Sequence, residues 1–213
     1  MKTLLVLFNN CLHIDYQQVG SEVNYAFIEE DKTLYIYFQC SNGAEDWRKN
    51  FDFKHEAYGL FKVHRGFYQA YYEVRNIILD KVYSKDYEEV IIVGYSHGSA
   101  IATICHQDVR YHFPSIKLQT FAFESPRSLK VPKKLRYYWD GLTRIKNGSD
   151  LITHLPFKIM GFDDLGEEIK IKGDTKLIKK FIPRCIKYHN LKGFAFLHTA
   201  VEHYIFVSPA RCG

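Results

Sequence analysis

Apolar positions along this chain recur at two spacings, one of period two and one near 3.6 residues. Residues 23–28 and Thr33-Leu34-Tyr35-Ile36-Tyr37-Phe38 are short apolar runs on either side of the polar stretch Glu29-Glu30-Asp31-Lys32. They read as two strands joined by a turn. From about 66 to 83, Phe67, Ala70, Tyr71, Val74, Ile77, Ile78 and Val82 fall at i, i+3, i+4 spacings, which predicts an amphipathic helix. A β-branched run at 89–94 predicts a buried strand, followed by a helix from about 97 to 112 that Pro114 closes. Lys117 to Phe123 reads as the next strand and Thr143 to Lys146 as another short one. Ile169-Lys170-Ile171-Lys172 alternates as an edge strand would. Strands alternating with helices predict an α/β fold, a central, mostly parallel sheet with helices on both faces. No repeat, low-complexity tract or linker interrupts the pattern, so residues 1–213 are expected to form one domain.

Composition narrows the picture further. A hydrophobic content of 46% over 213 residues suits a full-sized core and argues against disorder. The formal charge of +5 is modest, and basic residues gather only loosely at 130–136 and 170–184. Neither stretch carries the pattern of a nucleic-acid fold, so nucleic acid is not an expected partner. They read as solvated surface, with attraction to anionic lipid headgroups as the alternative. Five cysteines, Cys11, Cys40, Cys105, Cys185 and Cys212, are odd in number, irregular in spacing and without a CxxC pair. That predicts free thiols in a reducing compartment, with neither a disulfide framework nor a zinc site. The apolar run Leu4 to Phe8 ends at Asn9-Asn10, too short for a secretory core, and no stretch reaches membrane-spanning length. The expectation is a cytoplasmic protein with no transmembrane segment, cofactor or metal.

The segment that carries chemistry is Val90-Ile91-Ile92-Val93-Gly94-Tyr95-Ser96-His97-Gly98-Ser99-Ala100. A buried strand enters Gly-x-Ser-x-Gly and a helix leaves it, the context in which this motif presents a nucleophilic serine. Gly94 and Gly98 remove Cβ atoms where strand and helix cross, which lets Ser96 occupy a strained turn. The plainer alternative is a glycine-lined turn in which Ser96 caps the helix. A serine nucleophile also needs a base, a group that orients the base, and oxyanion donors. In this motif's usual order the acid and then the histidine follow the serine. Asp150, in a turn directly after a predicted strand, is the best acid; Asp140, Asp163, Asp164 and Asp174 lack that placement. Two histidines compete for the base. Thr199-Ala200-Val201-Glu202 has capping-box spacing, which sets His198 in the loop before a final helix and His203 inside its first turns. His198 is favoured on that ground. The oxyanion donors are expected to be the N–H of His97 and, from the loop after residues 35–38, Ser41 through its N–H or hydroxyl.

These and other segments, taken in order, resemble the class 3 (fungal-type) lipases of the α/β-hydrolase superfamily. The similarity runs from about residue 34 to the C-terminus. Phe38-Gln39-Cys40-Ser41 stands where that family has its Arg-Gly-Thr/Ser oxyanion loop, and Gly43 to Phe51, with Trp47, stands where it has a short lid helix. Val63-His64-Arg65-Gly66-Phe67 matches its Val-His-x-Gly-Phe element, and Gly94 to Ala100 matches its Gly-His-Ser-Leu-Gly-Gly-Ala elbow. Pro126-Arg127 matches a Pro-Arg pair, Asp150 to Pro156 the acid-bearing segment, and Gly161 to Glu168 a glycine–acidic element. The departures are Gln39-Cys40 in the oxyanion loop, and Tyr95 and His97 where the family has His and Leu. The terminal His-x-x-Tyr pattern is also not cleanly kept.

The resemblance implies an ester hydrolase acting on lipids through Ser96, Asp150 and a C-terminal histidine, with no cofactor. It implies that residues 43–53 form a lid, with Trp47 and Phe51 facing lipid at a membrane or lipid interface; a fixed amphipathic surface helix is the alternative. A small-ester or thioester hydrolase is the second enzymatic reading, because Glu45, Asp46, Arg48 and Lys49 make that segment highly charged. A binding module that keeps the fold without catalysis is the third, resting on Gln39-Cys40.

Overall fold

The computed structural model of the protein describes residues 2–20, 23–39, 54–147 and 152–171. Its framework is a seven-stranded sheet in the order β1-β2-β3-β6-β7-β9-β10. The strands are β1 (Gln17–Val19), β2 (Val23–Glu30), β3 (Thr33–Phe38), β6 (Glu89–Tyr95), β7 (Lys117–Phe123), β9 (Leu142–Asn147) and β10 (Glu167–Ile171). β1, β2 and β3 pair antiparallel, whereas β3, β6, β7, β9 and β10 run parallel. The turn between β2 and β3 is tighter than the predicted four residues, with Asp31 at φ 53° allowing the chain to reverse.

Parallel strands need crossovers that bury both sheet faces, and the helices supply that cover. On one face, α2 (Arg65–Tyr83) and α3 (His97–His112) pack Phe67, Ala70, Val74, Ile101 and Ile104 against Ile36, Val90 and Ile92. The two helices are tied together by buried Asp108, which accepts from the Tyr71 hydroxyl at 2.8 Å and pairs with Arg75 at 2.6 Å. On the other face, α1 (Lys2–His13) covers Tyr37, Val93, Tyr95 and Phe123 with Leu7 and Cys11. The sequence reading assigned no element to this segment, only an apolar run that ends at Asn9-Asn10. The helix continues through the pair because Asn9 lies on its exposed side and Asn10 donates to the Tyr37 hydroxyl at 3.4 Å.

A second sheet, β4 (His55–Tyr58), β5 (Phe61–His64) and β8 (Leu129–Lys130), lies at the start of α2. A 3-10 helix at Lys133–Trp139 then inserts Trp139 beneath α3, where its indole N–H donates to the Thr103 carbonyl at 3.1 Å. Neither feature follows from the periodicity, since strands of two to four residues are too short to show one.

Candidate active site

β6 is apolar from Val90 to Val93, buried but for half-buried Ile91, and Gly94 then brings its end against α3. A Cβ on Gly94 would stand 2.3 Å from the Gly98 carbonyl oxygen, and one on Gly98 would stand 2.3 Å from the Phe38 carbonyl oxygen, so each glycine is required by its own close approach. The ladder continues into the turn, where the Ser96 N–H donates to the Phe123 carbonyl at 2.9 Å. The Ser96 carbonyl accepts from the N–H groups of Ser99 and Ala100 and from the Ser99 hydroxyl, which opens α3. Between those anchors Ser96 adopts φ 53°, ψ −116°, a conformation a non-glycine residue holds only when its surroundings enforce it. Its neighbour at the end of β7, Glu124, is also left-handed at φ 49° and buried. Two adjacent strand ends are thus strained at the carboxyl rim of the sheet, the edge where ligands of such sheets bind.

The Ser96 side chain makes no capping hydrogen bond, so the helix-cap alternative is not met. Its hydroxyl is buried and has no hydrogen-bond partner among the described residues. Buried hydroxyls are normally paired, and a nucleophile is one of the recognised exceptions. The next residue, His97, begins α3, and its N–H is one of those a helix start leaves without an internal acceptor. That N–H and the helix dipole favour negative charge developing beside Ser96. The His97 ring is buried against Phe67, with centroids 5.5 Å apart. Burial, together with nearby His64, lowers its pKa to about 4, so it is neutral at ordinary pH.

Arg127 organises the rim beyond β7. It donates to Asp164 through Nε at 2.9 Å and Nη2 at 3.3 Å, to the Pro156 carbonyl at 3.0 Å, and to the His154 carbonyl. Its own N–H donates to the Leu155 carbonyl at 2.7 Å. One arginine, through its guanidinium and its backbone N–H, thus fixes residues 154–156, the stretch that follows Asp150. Asp164 also pairs with Arg144 at 3.1 Å and Lys158 at 2.6 Å. Burial opposes its ionisation, but hydrogen bonds from Arg127 and Lys158 and the charges of Arg127 and Arg144 hold its carboxyl well below the usual range. Asp163 is engaged by Arg136 and the Val131 N–H, each at 2.8 Å. Both aspartates are therefore tied into ion pairs.

The family model described as "Lipase (class 3)" matches residues 35–160. The chain belongs to the class 3 lipase family. It is 30% identical over 160 residues to a lipase of Rhizomucor miehei, covering 69% of this chain and 44% of that protein. It is 24% identical over 173 residues to a secreted mono- and diacylglycerol lipase of Malassezia globosa, covering 71% of this chain and 56% of that one. The chain thus spans about half the length of these relatives. A solved structure of the Rhizomucor miehei triacylglyceride lipase superposes with a TM-score of 0.65 at 27% identity, over 76% of this chain and 67% of that one. Another, of a triacylglycerol lipase whose catalytic centre is a serine protease triad, gives 0.63 at 26% over 76% and 68%. The fold is that of the α/β-hydrolases.

Membership corrects one expectation. The Malassezia globosa relative is a secreted protein, which points away from the cytoplasmic placement read from the cysteines and the short N-terminal run. Cys11 and Cys105 are free and buried, and burial pushes the Cys11 thiol up to about 12. Such thiols are unreactive through packing, whatever the compartment. Among the described residues no helix is long and apolar enough to cross a membrane.

Of the site residues read from this class 3 lipase sequence, the structure places Ser96 and His97 together at the elbow. Asp150, His198, its rival His203, Ser41 and residues 43–53 lie outside the described residues. The clamp by Arg127 was not foreseen; its only sequence signal is the Pro126-Arg127 pair within the resemblance.

Proposed function

We propose that this chain is a serine ester hydrolase of acylglycerol-type lipids. Ser96 attacks the ester carbonyl while His198 takes the hydroxyl proton. Asp150 orients the imidazole and stabilises the imidazolium. The N–H groups of His97 and Ser41 donate to the oxyanion, and removing one such donor costs about 10²–10³ in rate. His198 then returns the proton to the leaving alcohol, and water activated by the same ring releases the acid from the acyl-enzyme.

The observation that carries this reading is the left-handed, buried Ser96 at the carboxyl end of a parallel strand. The substrate class rests on the triacylglycerol and mono- and diacylglycerol lipases among the relatives, and with it the expectation that the enzyme works at a lipid interface. Hydrolysis of p-nitrophenyl esters of graded chain length tests the proposal. Turnover is expected to rise toward longer acyl chains and to vanish in Ser96→Ala and His198→Ala. Loss in His203→Ala with His198→Ala active would move the base to His203. A short-chain optimum would favour the small-ester reading. Absence of turnover on every ester by folded protein would favour the binding module, which Gln39-Cys40 in the oxyanion loop supports.

A further inference from the structure

We propose that Phe157, Ile159 and Met160, flanked by Lys130, Arg136 and Lys158, form a docking surface for lipid membranes that carry anionic headgroups. Within four residues the chain presents three large apolar side chains to water, with Ile159 95% exposed and Phe157 50%. Single exposed apolar residues are ordinary on protein surfaces, but a contiguous group points to a partner.

The exposure is built into the backbone. The Met160 N–H donates to the Phe157 carbonyl at 2.9 Å and the Gly161 N–H to the Lys158 carbonyl at 2.8 Å, winding a 3-10 turn. Gly161, at φ 85°, then reverses the chain. The Met160 carbonyl accepts from the His55 ring at 2.8 Å, and Arg127 holds the Pro156 carbonyl on the other side. The apolar tip is therefore held outward and is not free to fold back onto the core.

Beside it lies an open depression of about 470 Å³, lined by Lys130, Arg136, Lys158, Gly161 and Phe162 with Asp163 and Asp164. Both carboxylates are already engaged. Asp163 is paired with Arg136, and Asp164 is shared by Lys158, Arg127 and Arg144. Lys130 makes no ion pair among the described residues, and the depression keeps a positive excess. An apolar tip alone would suit many partners. A cationic hollow at its base selects a surface that is apolar inside and negative at its rim, as an anionic bilayer is. His55 also links the tip to the elbow, since His55, Phe162, His64, Phe67 and His97 follow one another in ring contacts of 4.3–5.7 Å.

The inference gives a place of attachment to the lipid-hydrolase reading on which it rests, yet its test needs no turnover. Full-length protein is sedimented with vesicles of phosphatidylcholine alone or with added phosphatidylglycerol. Wild type is expected to favour the anionic vesicles and to be released by salt. Lys130→Gln with Lys158→Gln should weaken anionic binding by about fivefold per charge and leave phosphatidylcholine binding unchanged. Ile159→Glu, at a fully exposed position, should weaken both by at least about tenfold. Equal binding by wild type and variants would overturn the proposal. So would a dimer that Ile159→Glu dissolves while wild type ignores vesicles, since the patch would then belong to a second copy. Hydrolysis of a soluble short-chain ester by wild type is measured alongside. Vesicle binding without any turnover would refute the hydrolase and leave the docking surface standing.

Discussion

Gly98 sits so close to Phe38 that a β-carbon on it would lie 2.3 Å from the Phe38 carbonyl oxygen and 2.5 Å from that of Gln39. The elbow of β6 and the end of β3 are thus locked by backbone contact, and the loop proposed to supply the second oxyanion donor leaves from that contact. Gly98→Ala must push one of them away. Overpacking of this kind costs about 1–3 kcal/mol. Because the displacement falls at the oxyanion loop, we expect turnover to fall by about 10² or more even where the protein stays folded. Urea melts and ester kinetics on this variant check both figures.

Ser96 itself stores strain. A side chain held at φ 53° costs on the order of 1–3 kcal/mol, and glycine adopts that φ far more readily. Ser96→Gly and Ser96→Ala should both be inactive, but the glycine variant is expected to melt no lower than the alanine one despite its more flexible unfolded chain. Calorimetry on the pair measures the difference.

Arg127 predicts a split between binding and chemistry. Arg127→Ala removes the ion pair to Asp164 and the bonds to the 154 and 156 carbonyls, while Arg144 and Lys158 still neutralise the aspartate. Loss of a wholly buried pair costs more, so about 2–3 kcal/mol is expected here. Loosening the segment after Asp150 should lower kcat more than it raises KM on a soluble ester. Arg127→Lys, which keeps the charge and loses the fork, should recover stability better than kcat.

Acid should destabilise the fold early. Burial, reinforced by His64, lowers His97 to about 4, and burial, with Arg110, lowers His106 to about 3. An unfolded histidine titrates near 6.5, so the unfolded state takes up protons first as pH falls below that value. Stability is full above about 6.5 and is lost as pH drops toward 4, by up to about 3 kcal/mol from His97 alone. The depressed carboxyl of Asp164 adds a loss in the same direction below the ordinary carboxylate range. His97→Leu, apolar at a buried position, should flatten this dependence, as denaturant midpoints at neutral and acid pH will report.

How much of this was legible in the sequence depended on how local each cause was. β3, α3 and β7 lie where periodicity places them, because each alternates or repeats over six or more residues. α1 was not read from the sequence, where Leu4 to Phe8 stood only as a short apolar run; the partner of Asn10, Tyr37, lies 27 residues away. The strained turn at Ser96 was legible because a close strand-to-helix crossing demands glycines on either side of it. Arg127 was not, since its partners at 154, 156 and 164 are set by tertiary contact, and nothing in Phe157-Lys158-Ile159-Met160 says that these side chains face water. Asp150, His198 and Ser41 stay with the sequence argument, as they lie outside the described residues.

Covalent labelling tests the central claim most directly. Folded wild-type protein is treated with a fluorophosphonate probe, and the adduct is located by peptide mass spectrometry. A single adduct on Ser96 that is absent from Ser96→Ala is the predicted result. A folded protein that takes no label, or takes it at a serine other than Ser96, would contradict a nucleophilic elbow at this position.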